Sequence, residues 1–135
     1  MDLGSLNWIA IVVCVVASVV IGFTWYHPAV FFKAWRKGIG KSEGDQTNPS
    51  PVLYLFTILA AFVEAVSLAF LTKTMGSTTL AAGAGAGFML WLGFVAPTNL
   101  VNNLFAGRGW KVWLIEAGDH LVYLLVAGAI LGTWH

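Results

Sequence analysis

Apolar residues fill four long stretches of the chain, 6–26, 52–71, 80–102 and 112–134, and most polar residues lie between them. Each stretch has the roughly 20 residues that a helix rising about 1.5 Å per residue needs to cross the hydrocarbon core of a bilayer. The segment 37–50 is rich in Gly, Ser, Asn and Pro, the composition of a loop, and 75–79 and 106–109 have the length of hairpin turns. The pattern therefore predicts an all-α fold: one integral membrane domain, 1–135, built as a four-helix bundle with a single long loop at 27–51.

Within that loop, residues 28–37 read as a short interfacial helix. Pro28 suits a first helical turn, Phe31, Phe32 and Trp35 can meet acyl chains, and Lys33, Arg36 and Lys37 can meet anionic headgroups. Membrane lipids are thus the first partners that the sequence implies. Asn48-Pro49-Ser50 has the outline of a glycosylation acceptor, but its central proline excludes it.

Composition agrees with a membrane class. Of the 135 residues, 59% are hydrophobic and only 10% charged, where a soluble domain keeps about a quarter of its residues charged. A net charge of +1 with no massed basic surface leaves nucleic-acid binding without support. Cys14 is the single cysteine, so no intrachain disulfide can form. The first apolar run follows Asp2 rather than a basic leader and is expected to be a retained span, not a cleaved signal peptide.

Charge also predicts orientation. Lys33, Arg36, Lys37, Lys41, Arg108 and Lys111 fall in the first and third loops, and Lys73 alone on the other side. The positive-inside rule places those two loops in the cytoplasm and both termini outside. Trp25, Tyr26, Tyr54, Trp110 and Trp113 would then mark the inner interface, with Trp8 and Trp134 at the outer one.

Gly83 with Gly87, and Gly128 with Gly132, have the GxxxG spacing that lets helix backbones approach closely. The spacing leaves open whether they pair within one chain or between chains. Pro97 frees a backbone carbonyl one turn earlier and should kink the third span just before the asparagines, and Trp91, unusually deep for a tryptophan, either fills an internal gap or meets another subunit.

The candidate chemistry lies in a few polar residues inside the spans. At about 100° per residue, Glu116, Asp119, His120 and Tyr123 share one arc of the fourth span, and Asn99, Asn102 and Asn103 share one arc of the third. Glu64 is the deepest charge in the chain, on a face that it shares with Thr57, Ala60, Ala61 and Ser67. Tyr123 or His120 is its expected hydrogen-bond partner. An ionised carboxylate near mid-bilayer costs at least about 2.5–3.5 kcal/mol, so it must be paired, hydrated or protonated. Two readings follow: a proton- or ion-handling site, or interhelical hydrogen-bond glue. The set has no metal-binding spacing, and neither a metal nor a cofactor is expected.

The segments "WLGFVAPTNLVNNLFAGRGWKVWLIEAGDHLVYLLVAGAILGTW" (91–134) and "GFTWYHPAVFFKAW" (22–35) resemble domain-of-unknown-function family 1761, a group of small bacterial four-helix membrane proteins. The shared features are Trp25, Tyr26, Gly93, Phe94, Pro97, Asn102, Asn103 and His120. The resemblance implies a multi-pass protein of a bacterial inner (cytoplasmic) membrane and no particular activity. It favours His120 and the asparagines over Glu116 and Asp119 as shared site residues. The functional expectation is an oligomeric proton- or ion-linked channel or transporter. Its binding residues would be Glu64, Asn99, Asn102, Asn103, Glu116, Asp119, His120 and Tyr123. Four short helices enclose too little space for a solute path, so the glycine faces would serve as seams of a homo-oligomer. The alternative is a non-catalytic scaffold or accessory subunit with a partner in a larger membrane complex. An enzyme is not expected, because no nucleophile–base spacing or redox cysteine pair is present.

Overall fold

The structure, a computed structural model, describes residues 2–41 and 50–135. Residues 42–49 of the expected loop, with Asn48 and Pro49, lie outside the described residues. The elements are helical throughout: a short 3-10 turn at Leu3–Ser5, then α1 (Trp8–Trp25), α2 (Phe32–Gly38), α3 (Pro51–Thr74), α4 (Leu80–Leu90), α5 (Ala96–Phe105) and α6 (Gly109–Thr133). A π-helical turn, Trp91–Val95, joins α4 to α5. That joined helix and α1, α3 and α6 are each long and apolar enough to cross a membrane.

Local sequence explains where these helices begin and end. The Asn7 side chain accepts the Ala10 N–H at 3.0 Å, and Thr79 Oγ1 accepts the Ala82 N–H at 3.1 Å, so each satisfies one free donor of a first turn. Pro51 opens α3, where its missing N–H costs nothing. Helices α3 and α5 stop in the same way. Gly76 (φ +67°) and Gly107 (φ +74°) take the left-handed conformation, and the next N–H, of Ser77 or Arg108, returns to the carbonyl of Thr72 or Asn103.

Helix α6 is the hub of the bundle. It packs against α1, α2, α3, α4 and α5, most extensively against α4. Lys73 Nζ donates to the Ser5 carbonyl at 2.6 Å, and Phe23 stacks with Tyr54 at 6.3 Å, so α1 and α3 run antiparallel. Asn7 Nδ2 reaches the Trp134 carbonyl at 3.4 Å, which brings both termini to one end. The opposite end carries α2 and the α5–α6 turn.

The two glycine pairs meet each other, inside one chain. A Cβ built on Gly83 would overlap the Gly128 carbonyl oxygen and lie 2.8 Å from Gly132 Cα; one on Gly87 would overlap the Leu124 carbonyl oxygen. Only hydrogen in place of a side chain lets α4 and α6 lie this close, so the surface expected as an oligomer seam is already occupied. By contrast, no residue from 51 to 60 of α3 is buried.

The irregularity expected at Pro97 takes the form of the π-helical turn just before it, closed by the Ala96 N–H on the Trp91 carbonyl. Pro97 has no N–H to give to the Gly93 carbonyl, and widening the helix one turn earlier absorbs that mismatch.

Candidate functional site

One side of α6 carries the ionisable residues, and its neighbours divide them into two groups. Glu116 belongs to the first, at the end of the bundle near α2. Trp35 Nε1 of α2 donates to Glu116 Oε1 at 3.2 Å, and Asn103 Nδ2 of α5 donates to Oε2 at 3.3 Å. The same Asn103 amide also donates to the Asn99 main-chain carbonyl at 3.0 Å and to Asn99 Oδ1. Asn103 is 2% exposed. Asn99 and Asn103 are one helical turn apart on one face of α5, which is why the Asn103 amide can bond to Asn99 while it reaches Glu116. Asn102 lies off that face, with its side chain exposed.

Asp119, His120 and Glu64 form the second group, all half-buried. His120 and Asp119 lie close enough to Glu64, and His120 close enough to Asp119, for charges on them to interact. The two helices are pinned here by Tyr123, whose hydroxyl donates to the Ala61 carbonyl of α3 at 2.8 Å. Glu64 is one turn beyond Ala61. Among the described residues, no hydrogen bond reaches the side chains of Glu64, Asp119 or His120. The bond expected between Glu64 and the fourth span is therefore replaced by a side-chain-to-backbone bond from Tyr123. The face around Glu64 is also less enclosed than its small residues imply: Thr57, Ala60 and Ser67 are exposed, while Ala61, Ala65 and Leu68 are buried.

Residues that the sequence assigned to the membrane interface complete the site. Trp25 Nε1 donates to the Ile115 carbonyl at 2.8 Å, and its ring occupies the space where Gly118 has no side chain. Trp91 Nε1 donates to the Ala117 carbonyl at 2.7 Å, so it packs inside the chain against α6. Trp113 Nε1 donates to the Ala96 carbonyl at 2.9 Å. Trp35, expected against acyl chains, turns instead to Glu116 and lies edge-on to Tyr26 at 5.7 Å. The Tyr26 phenol is half-buried, with Asp119 and Glu116 near it. Helix α2 begins at Phe32, so Pro28 lies in the preceding turn, where His27 Nδ1 accepts the Ala29 N–H at 3.1 Å. Gly38 of α2 fits against Val112 of α6, which docks this short helix on the bundle.

The arrangement can bind protons. Two carboxyl groups and one imidazole lie near one another with no hydrogen bond among the described residues, each able to take up or release a proton without breaking a bond that holds the helices. Among the described residues, no three His, Cys, Asp or Glu side chains converge as a metal-ligand set. Cavities of about 140 Å³ near the termini and about 280 Å³ between α1 and α3 are not lined by the ionisable residues of α6 or by Glu64.

Fold and site together describe an all-helical protein with four helices able to cross a membrane and ionisable groups between α3 and α6, a pattern compatible with a multi-pass membrane protein. The chain belongs to the family described as "Protein of unknown function (DUF1761)", whose model matches residues 9–132. Neither a curated protein nor a solved structure matches it.

Proposed function

We propose that the protein is a small membrane channel or carrier that moves protons, alone or coupled to an ion, through the Glu64, Asp119 and His120 cluster. One observation carries this reading. The three ionisable side chains lie within mutual electrostatic reach yet make no hydrogen bond among the described residues, while Tyr123 and three tryptophans hold the helices together. Interhelical glue must bond across helices, and among the described residues these side chains make no such bond. Ionisable groups inside a bilayer that do not bond the helices together are candidates for function by default.

A path across the membrane requires more than one copy of the chain, since four short helices are too few to surround a solute path. The glycine seam is used internally, so the unburied half of α3, residues 51–60, supplies the contact between copies. The test is proton flux into liposomes holding the purified protein. Wild-type protein should dissipate an imposed pH gradient faster than empty vesicles, and Glu64→Gln should not. Equal rates for protein-containing and empty vesicles would exclude the reading. The same unburied stretch of α3 also supports the second reading, a scaffold seated against a different membrane subunit. Co-purification of a foreign subunit in fixed ratio, with no self-association, would favour that one.

A further inference from the structure

The hydrogen bonds around Asn103 leave a chemical asymmetry. Its amide nitrogen faces three acceptors, the Asn99 carbonyl, Asn99 Oδ1 and Glu116 Oε2, whereas its own Oδ1 is buried and accepts nothing from the described residues. Exchanging the two amide atoms does not resolve this, because it would set an oxygen against those three oxygens. A buried acceptor without a donor costs about 1–3 kcal/mol, so the place is built for something that donates or is positive. Among the described residues, every polar group that the Asn103 side chain bonds to is an acceptor, and the other N–H on the Glu116 carboxylate is that of Trp35. The last turn of α5 also ends here, and the carbonyl end of a helix favours positive charge.

We propose that the junction of α2, α5 and α6 binds a monovalent cation through oxygen atoms of Asn99, Asn103 and Glu116. The charge count selects the valence. One carboxylate and two amide oxygens give the site a single negative charge, which a monovalent cation neutralises. A divalent ion would leave a net positive charge between apolar helices, and an anion would meet only acceptors. Oxygen donors of this kind suit a hard cation such as sodium or potassium, or the N–H groups of ammonium. Trp35 covers the carboxylate from the α2 side, so occupancy and the docking of α2 are linked through one side chain. The inference deepens the proton-linked reading by naming the coupled ion, but the site stands without any flux through Glu64.

The test follows thermal unfolding of the full-length protein in detergent at constant pH and ionic strength. NaCl, KCl and NH4Cl are each compared with N-methyl-D-glucamine chloride. At least one small cation should raise Tm saturably, Asn103→Leu and Glu116→Gln should each abolish that rise, and Glu64→Gln should keep it. If Asn103→Leu does not fold, Glu116→Gln, which keeps the side chain's shape, provides the comparison. An equal Tm in all four salts, a saturable rise that survives Glu116→Gln, or a larger rise with MgCl2 would overturn the assignment. Loss of proton flux in Glu64→Gln with the cation response intact separates this inference from the proposed function. A flux assay that fails while sodium still binds would sink only the latter.

Discussion

Replacing Gly83 with alanine tests the packing on which the site depends, and Gly85 in the same helix provides a matched control. At Gly83 the added methyl would overlap the Gly128 carbonyl oxygen and stand 2.8 Å from Gly132 Cα, whereas at Gly85 it would meet nothing within 4 Å. Bringing 2.8 Å up to the 3.4 Å where ordinary contact begins requires α4 and α6 to part by at least about 0.6 Å, and the carbonyl overlap requires more. The obstructing atoms are backbone and cannot rotate away. Overpacking of this kind costs about 1–3 kcal/mol, and rigid neighbours place Gly83 toward the upper end. Both substitutions gain about 0.8–1 kcal/mol of helix propensity. Gly85→Ala should therefore be neutral or stabilising by up to about 1 kcal/mol, and Gly83→Ala destabilising by about 1–2 kcal/mol. Reversible unfolding by SDS in mixed micelles, followed by tryptophan fluorescence, measures both. Equal midpoints for the two variants would refute the claim that this stripe is an intrachain seam.

Other predictions separate bonding from chemistry among the polar residues. Tyr123→Phe removes the bond to the Ala61 carbonyl and should cost about 0.6–1.7 kcal/mol in the same unfolding assay. Glu64→Gln should leave stability unchanged or raised, because it removes an ionisable group that no hydrogen bond among the described residues holds; a loss as large as that of Tyr123→Phe would restore the glue reading. Trp91→Phe and Trp113→Phe each lose an indole bond to a helix carbonyl and should each cost about 0.5–1.5 kcal/mol beyond any packing loss. No change in either midpoint would show that these tryptophans only fill space.

The four long helices were legible because a bilayer imposes a length and a polarity on any segment that crosses it, and little competes with that signal. The arc of Glu116, Asp119, His120 and Tyr123 was legible for a similar reason: helical periodicity fixes which residues share a face. Periodicity says nothing about what lies opposite. Tyr123 therefore passes by Glu64 to bond a backbone carbonyl, and Asn102 is exposed although its neighbour Asn103 is buried. The GxxxG spacing likewise announces close approach but not the partner; the short α5–α6 turn and the register of α4 against α6 decide that. Tryptophan was the least legible residue type. An indole has an apolar body and a single donor, and those properties suit a lipid headgroup boundary and a neighbouring helix's carbonyl equally well. For Trp25, Trp35 and Trp113 the structure shows the second use. One sequence signal points that way: Gly118 lies on the side of the fourth span away from the polar arc, and its missing side chain is the space that Trp25 fills.

The claim on which the rest depends is that Glu64 and His120 share one interior environment and exchange protons in it. Infrared difference titration of the purified protein reads this directly, with the carboxyl band assigned to Glu64 by its loss in Glu64→Gln. The midpoint of that band should move when His120 is replaced by alanine and stay in place when exposed Asn102 is replaced. A midpoint indifferent to His120 would mean that the two side chains do not sense each other, and the proton-handling account would fail.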